Sequence, residues 1–289
     1  MTVAVTGASG QLGRRVADLL LARLDPGDVV LLTRSAETLA AHAGRGAAVR
    51  AADFDDPSSL VDALEGVDRM LLISAVDLGR RAAQHRAAIE AAEAAGVRHV
   101  LYTSIPNPES GIAAAAPSHL ATEHALRDSG LAWTFLRNNL YAEFQVPVVA
   151  QAIESGRLVT SAGDGRTAYV SRDDCAAAAA AVLVQDGHED RAYDITGPEA
   201  IGAQELAALA AELGGRRVEV VLVDDDALIA GMVETGTPEV VARIVASFPA
   251  ATREGLLGSV SSAVEDLTGT PARSLRDVVA AHRADTVHP

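Results

Sequence analysis

The chain has 289 residues, 49% hydrophobic and 22% charged, an ordinary composition for a globular protein. All 24 of its Lys+Arg residues are arginine, so a lysine Schiff base, a P-loop lysine and a Tyr-x-x-x-Lys proton relay are excluded. With 39 acidic residues the net charge is -15, which argues against a nucleic-acid-binding face and against a polybasic membrane anchor.

Thr2–Thr6 reads as a buried strand, followed by a glycine turn and a helix over about Gln11–Leu24. Strands at Asp28–Thr33, Ala47–Ala51, Arg69–Ser74, His99–Ser104 and Leu131–Leu136 follow. Helical patterns begin near Ser35 and cover about Pro57–Leu64, Gly79–Ala95 and Ser118–Asp128. Short apolar runs alternating with helices predict an α/β fold, a Rossmann-like doubly wound parallel sheet. In the fourth helix Ala83, Ala87, Ala91 and Ala94 recur at helical spacing and are expected to pack closely on the sheet. Beyond Asn138 the pattern loosens. Ala168–Val170 and Ala192–Thr196 read as strands around a helix at Arg172–Val184, one or both returning to the sheet. Val218–Val223 is a further strand. From Asp224 onward, helices broken by Gly231, Gly236, Pro238, Pro249, Gly255 and Gly269 suggest a small helical lobe over the C-terminal edge of the sheet.

Cys175 stands alone in an alanine-rich stretch and reads as a small buried residue, consistent with a reducing cytoplasm. No run reaches the roughly 18 apolar residues of a membrane span, and the N-terminus lacks the basic region of a signal peptide.

Gly7-Ala8-Ser9-Gly10-Gln11-Leu12-Gly13 joins the first strand to the first helix. Such a turn lets the backbone approach a pyrophosphate, which the free N–H groups and dipole of the helix then bind. An NAD site normally ends its second strand in an acidic residue that holds the ribose 2′-hydroxyl. This strand ends in Thr33-Arg34-Ser35, and an arginine can pair with a 2′-phosphate, so NADP(H) is the expected cofactor. Arg14 and Arg15 have two readings, help at the 2′-phosphate or surface charges on the helix, and the second is favoured. Asp53 and Phe54 follow the third strand, where adenine would lie; a ring contact by Phe54 and ordinary packing both stay open.

Val5–Gly13, Leu71–Ser74, Tyr102–Ser104, His119–Glu123, Leu136-Arg137-Asn138 with Tyr141 and Glu143, Ala162–Arg166 and Asp194–Pro198 together resemble one group of proteins. These are the NmrA-like atypical short-chain dehydrogenase/reductases, in particular the NADPH-dependent quinone oxidoreductases and related triphenylmethane-dye reductases. The resemblance implies an NADP(H)-binding domain over residues 1–138, with 166–196 returning to its sheet. Residues 139–165 and 197–289 would form a smaller lobe, with substrate in the cleft between the two. Gly7, Gly10, Gln11, Leu12, Arg34, Ser74 and Ser104 would line the cofactor, with Ser9 and Gly13 completing the loop, while Asn138 and Tyr141 would face the substrate. Two departures stand out. Asn139 occupies a position that often holds glycine in this group, and Ala113–Ala116 fills a variable stretch near the cleft.

None of Tyr102, Tyr141, Tyr169 or Tyr193 has a lysine four residues on. Where related proteins place the relay lysine and tyrosine, this chain has His119 and Ala115. Ordinary carbonyl reduction therefore lacks its acid. One reading is an electrophilic, quinone-like small-molecule acceptor, with Asn138 and Tyr141 donating hydrogen bonds to developing charge. His119 is then either the proton donor or a helix-surface histidine. The other reading is a non-catalytic, NADP(H)-binding redox sensor of the NmrA type. Neither requires nucleic acid or membrane, and a homodimer is left open. No metal site is expected, because His119 and His124 do not share a helix face and Asp224-Asp225-Asp226 suits a helix N-terminus.

Overall fold

The computed structural model describes residues 1–287, with side chains through His282. Its strands in chain order are β1 (Val3–Val5), β2 (Val29–Thr33), β3 (Ala48–Ala51), β4 (Arg69–Leu72), β5 (His99–Ser104) and β6 (Ala132–Asn138). They are followed by β7 (Arg157–Thr160), β8 (Arg166–Thr167), β9 (Arg191–Ile195), β10 (Ile201–Gly202) and β11 (Glu219–Leu222). Seven of them form one parallel sheet in the order β3-β2-β1-β4-β5-β6-β9.

The helices of the first half are α1 (Gln11–Leu21), α2 (Ala40–Gly44), α3 (Pro57–Ala63), α4 (Arg81–Ala94) and α5 (Ala116–Asp128). Those of the second half are α6 (Gln145–Ser155), α7 (Arg172–Val184), α8 (Ala203–Gly214), α9 (Asp225–Glu234), α10 (Glu239–Arg253), α11 (Ala263–Thr268) and α12 (Leu275–Val287). Among the described residues no helix is long and apolar enough to cross a membrane.

Alternation along the strands builds two cores. Val3, Val5, Leu31, Leu71, Leu101 and Leu136 face α1 and α7, packing with Leu12, Val16, Leu20 and the buried Ala176, Ala178, Ala179 and Ala180. Ala4, Val30, Leu32, Met70, Leu72, Tyr102 and Phe135 face the other way, onto Leu60, Leu64, Ala88, Ile89 and Leu126 of the α3, α4 and α5 side. A third cluster joins α6, α8 and α12 through Val149, Ala152, Leu206, Ala210 and Val279. The alanine-rich α7 can lie close to the sheet because methyl groups demand so little separation, and Cys175 is buried within it.

The structure differs from the sequence reading in several places. Ala168–Val170 is not a sheet strand: Val170 makes a single bridge to Tyr141, and β8 pairs antiparallel with β10 in a separate two-stranded sheet. The chain cannot extend there because Ser171 immediately caps α7, its side chain accepting from the Asp174 N–H. Only β9 returns to the main sheet, beside β6. β7 was not anticipated; it pairs in parallel with β11. Pro249 lies inside α10 instead of breaking it, and Val264 and Leu267 of α11 pack with α1 and α7. The alanine face expected on α4 is also displaced. Ala83 and Ala94 are exposed, and the buried face carries Arg81, Gln84, His85, Ala88, Ile89, Ala91 and Ala92. Arg81 and His85 are turned inward to hold the loop after β4, and Gln84 donates to Asp55 after β3 at 3.0 Å.

Candidate active site

The strand order reverses between β1 and β4, the position at which open α/β sheets bind ligands beyond their C-terminal ends. The glycine loop leaves β1 there. Gly7 has φ +57°, a backbone state that disfavours a side chain. At Gly13 a Cβ would sit 2.4 Å from the Gly7 carbonyl oxygen and 2.7 Å from the Ala8 Cα, so only glycine lets α1 close onto the loop. Gly10 is the N-cap of α1 and supplies no side-chain cap, which leaves the first N–H groups free for an anion.

Leu12 is buried in the core, so only its backbone can face a cofactor, while the Gln11 side chain is exposed. Ser9 is tied to the end of β2, its hydroxyl accepting from Thr33 Oγ1 at 3.2 Å. Arg34, next along, is exposed and has no hydrogen bond or ion pair to another described residue. Arg14 and Arg15 are engaged elsewhere: Arg14 Nε donates to the Ser9 carbonyl at 2.8 Å, and Arg15 Nε pairs with Asp173 at 2.6 Å. The loop geometry, the uncapped helix and the free guanidinium together fit a pyrophosphate with a nearby 2′-phosphate.

Asp53 and Phe54 follow β3. The Asp53 N–H donates to Ser59 Oγ at 3.0 Å, and its carboxylate accepts from the Asp55 N–H at 3.1 Å. Phe54 packs on the α3 and α4 core with its ring edge-on to His85, centroids 6.1 Å apart.

The loop after β4 is clamped at both ends of one residue. Ser74 N–H donates to Thr103 Oγ1 at 2.9 Å. Ala75 N–H donates to His85 Nε2 at 2.9 Å, and its carbonyl accepts from Arg81 Nε at 2.6 Å. Because His85 Nε2 accepts, Nδ1 carries the proton and donates to Thr122 Oγ1 at 2.9 Å. The same logic holds at His119. Arg81 Nη1 donates to its Nε2 at 3.0 Å, so its Nδ1 donates to the Tyr102 hydroxyl at 2.7 Å.

These contacts correct the reading of His119. It is buried, so it is not a helix-surface residue. Burial and the Arg81 charge push its pKa well below the ordinary range, and both ring nitrogens are occupied. Such a neutral imidazole is a packing and orienting group and has no proton to give the acceptor.

Buried neutral histidines make the fold acid-sensitive. Burial and the neighbouring Arg81 lower His85 from 6.5 to about 3. Above 6.5 the unfolded chain is also neutral, so His85 causes no pH dependence there. As the pH falls below that value only the unfolded chain takes up the proton, so stability drops until the folded pKa is reached. The His85 contribution to this loss is about 2 kcal/mol at about pH 5. Urea midpoints at about pH 7.5 and about pH 5 are the measurement, and a His85→Gln variant is expected to show a shallower slope.

Ser104, at the end of β5, donates to Glu123 Oε1 at 2.8 Å. Arg137, at the end of β6, grips the same carboxylate through Nε at 3.0 Å and Nη2 at 2.8 Å, and Arg127 adds a contact at 3.2 Å. Glu123 is 0% exposed, so this buried cluster fixes the ends of β5 and β6 against α5.

The next residue, Asn138, is buried, and its Oδ1 has no hydrogen-bond partner among the described residues. The unpartnered Oδ1 is an acceptor, and no described residue accepts from the Nδ2 amide beside it. Tyr141 is half-buried against the α1–α7 core, and burial pushes its hydroxyl far above the ordinary range, so it stays protonated and can donate. The Arg172 guanidinium lies over both the Tyr141 and Phe144 rings, 4.6 and 4.8 Å from their centroids, and pairs with Glu143 at 3.4 Å. Asn139 donates to the Leu257 carbonyl at 3.0 Å, joining this wall to the segment after α10. Asn138 lines a crevice of about 20 Å³ with Ile105, Pro106, Leu140 and Phe248. A cavity of about 450 Å³ lies across Leu140 and Phe248, which line both spaces. Among the described residues there is no His, Cys, Asp and Glu cluster able to hold a metal.

Residues 7–186 match the NAD(P)H-binding family model. The chain belongs to this NAD(P)H-binding family. Quinone oxidoreductase 2 of Escherichia coli (strain K12) is 36% identical over 277 residues, covering 96% of this chain and 97% of that protein. The crystal structure of the E. coli NADPH-dependent quinone oxidoreductase complexed with NADPH matches with a TM-score of 0.94 at 35% identity, over 97% of this chain and 99% of that one. The Citrobacter sp. triphenylmethane reductase complexed with NADP(H) matches with a TM-score of 0.90 at 35% identity, again over 97% and 99%.

In this NAD(P)H-binding chain, the clamp on Ala75 escaped sequence reasoning. Arg81 and His85 sit in an alanine-rich helix whose methyl spacing suggested the wrong face. The one available signal was a charged residue and a histidine four apart at the helix start, directly after a candidate cofactor loop.

Proposed function

We propose that this protein transfers hydride from NADPH to a quinone-like acceptor without a tyrosine–lysine relay. The observation that carries the reading is the occupant of the relay position. His119 is neutral, enclosed and bonded at both nitrogens, and Ala115 has no acidic side chain. An acceptor whose reduced oxygen is a delocalised phenolate does not need a strong acid in the rate-determining step. The full-length similarity to a quinone oxidoreductase and to a triphenylmethane reductase supports the same acceptor chemistry.

When bound, the nicotinamide supplies the hydride. The chain's own residues position and screen. The Gly7–Gly13 loop and the free N–H groups of α1 would hold the pyrophosphate, and Arg34 the 2′-phosphate. His85 and Arg81 fix Ala75 and so the Ser74 loop. The unpartnered Asn138 Oδ1 would accept from an amide N–H or a reduced hydroxyl, and the Tyr141 hydroxyl would donate to developing negative charge. A single reduced Cys175 supports a cytoplasmic setting.

Asn138→Ala tests the site. Turnover of a simple quinone is expected to fall about 10- to 100-fold, the range for losing one aligned polar contact. NADPH affinity, followed by fluorescence titration, should change by less than about threefold. Unchanged turnover would remove Asn138 from the site.

A further inference from the structure

Asn138 needs a partner, yet the crevice beside it, about 20 Å³, has room for little more than one polar atom or a water. The adjoining space is different. The cavity across Leu140 and Phe248 has a volume of about 450 Å³, within the range of small-molecule sites. Leu140, Phe144, Val148, Leu206, Met232 and Phe248 supply its character, and they include two of the chain's four phenylalanines. No charged side chain lines it. Its polar side chains are few, Gln145, Thr160, Tyr169 and Thr252: Thr252 donates to the Phe248 carbonyl at 3.0 Å and shares a hydrogen bond with Thr167 at 2.9 Å, while Thr160 accepts from the Ala162 N–H at 3.2 Å. A polar or ionic ligand would gain little there and would lose its hydration. Phe144 and Val148 are 52% and 37% exposed, so the apolar lining continues to the outer surface.

We propose that this cavity seats a long apolar tail on the acceptor, so that the preferred substrate is a quinone bearing an alkyl or prenyl chain. The inference rests on the quinone-reductase reading for the ring and adds the tail from the cavity. The ring lies toward Asn138, and the chain passes Leu140 and Phe248 into the space between α6, α8, α9 and α10.

Benzoquinones carrying ethyl, hexyl or decyl chains provide the test. Affinity is read as KM in NADPH-dependent turnover and as Kd by calorimetry on the NADP⁺-bound protein, where no turnover occurs. Each buried methylene is worth about fourfold in affinity, so the decyl compound is expected to bind at least about tenfold more tightly than the ethyl one at similar kcat. Leu228→Trp, which fills the cavity, and Met232→Glu, which places a carboxylate in it, should each abolish that gain while the ethyl compound is turned over as before. Equal Kd for ethyl and decyl compounds, or a gain that survives both variants, would overturn the proposal. If decyl compounds bind tightly but no quinone is reduced, the apolar seat stands and the reductase reading fails. If ethyl benzoquinone is reduced but chain length has no effect, the reductase reading stands and the seat fails.

Discussion

Glu123→Ala is expected to destabilise the protein by about 3–5 kcal/mol, the cost of stripping one partner from a buried ion pair. In the native fold the carboxylate is 0% exposed and accepts from Ser104, Arg127 and both arms of Arg137. Alanine would leave the Arg137 guanidinium, whose side chain is only 21% exposed, without its counter-charge, and would strand the Ser104 hydroxyl. Glu123→Gln keeps the shape and one acceptor oxygen and should cost about 1–3 kcal/mol. In a thermal melt the alanine variant should lose about 10 °C. Because Ser104 and Asn138 terminate the two strands fixed by this cluster, NADPH affinity and turnover should both suffer at temperatures where the variant remains folded. A melting temperature within about 2 °C of the wild type would show that the cluster contributes little.

Arg34→Glu should weaken NADPH binding by about 100-fold while changing NADH binding by less than about threefold. A charge-assisted contact to phosphate is worth about 1.5–3 kcal/mol, and reversing the charge adds repulsion to that loss. The position suits such a contact: Arg34 ends β2, is exposed, and is engaged with no other described side chain. Arg14 and Arg15 cannot readily substitute, since Ser9 and Asp173 already hold them. Arg34→Gln should fall between the two, losing the attraction without the repulsion. Equal loss for both nucleotides would remove the 2′-phosphate role and leave a general effect on the loop.

The parts of this fold most legible in the sequence are those in which one local rule dominates. β1, β2 and Met70–Leu72 of β4 are apolar runs buried on both faces, β5 and β6 have apolar buried centres, and the glycine loop needs its residues for backbone reasons alone. The α4 face departs from the alanine spacing because burial there follows hydrogen bonding: Arg81 and His85 turn inward to the loop after β4, and Gln84 to Asp55 after β3. β7 was missed because Arg157–Thr160 is too short for a period and becomes a strand only through β11, some sixty residues on. His119 could be aligned with a relay position, but its neutral state depends on Arg81 and Tyr102, from elements far apart in the chain. Asn138 was placed at the cleft as a donor. That its buried Oδ1 is left without a partner depends on the packing around it, which has no sequence signature.

The most direct test of the central claim compares two acceptors with the same NADPH-loaded protein. Oxidation of NADPH is followed in the near ultraviolet with a simple benzoquinone and, separately, with an unactivated ketone such as cyclohexanone. Reduction without a proton relay predicts quinone turnover well above the uncatalysed rate and no measurable ketone turnover. Comparable turnover of the ketone, or no quinone turnover despite measurable NADPH binding, would contradict it.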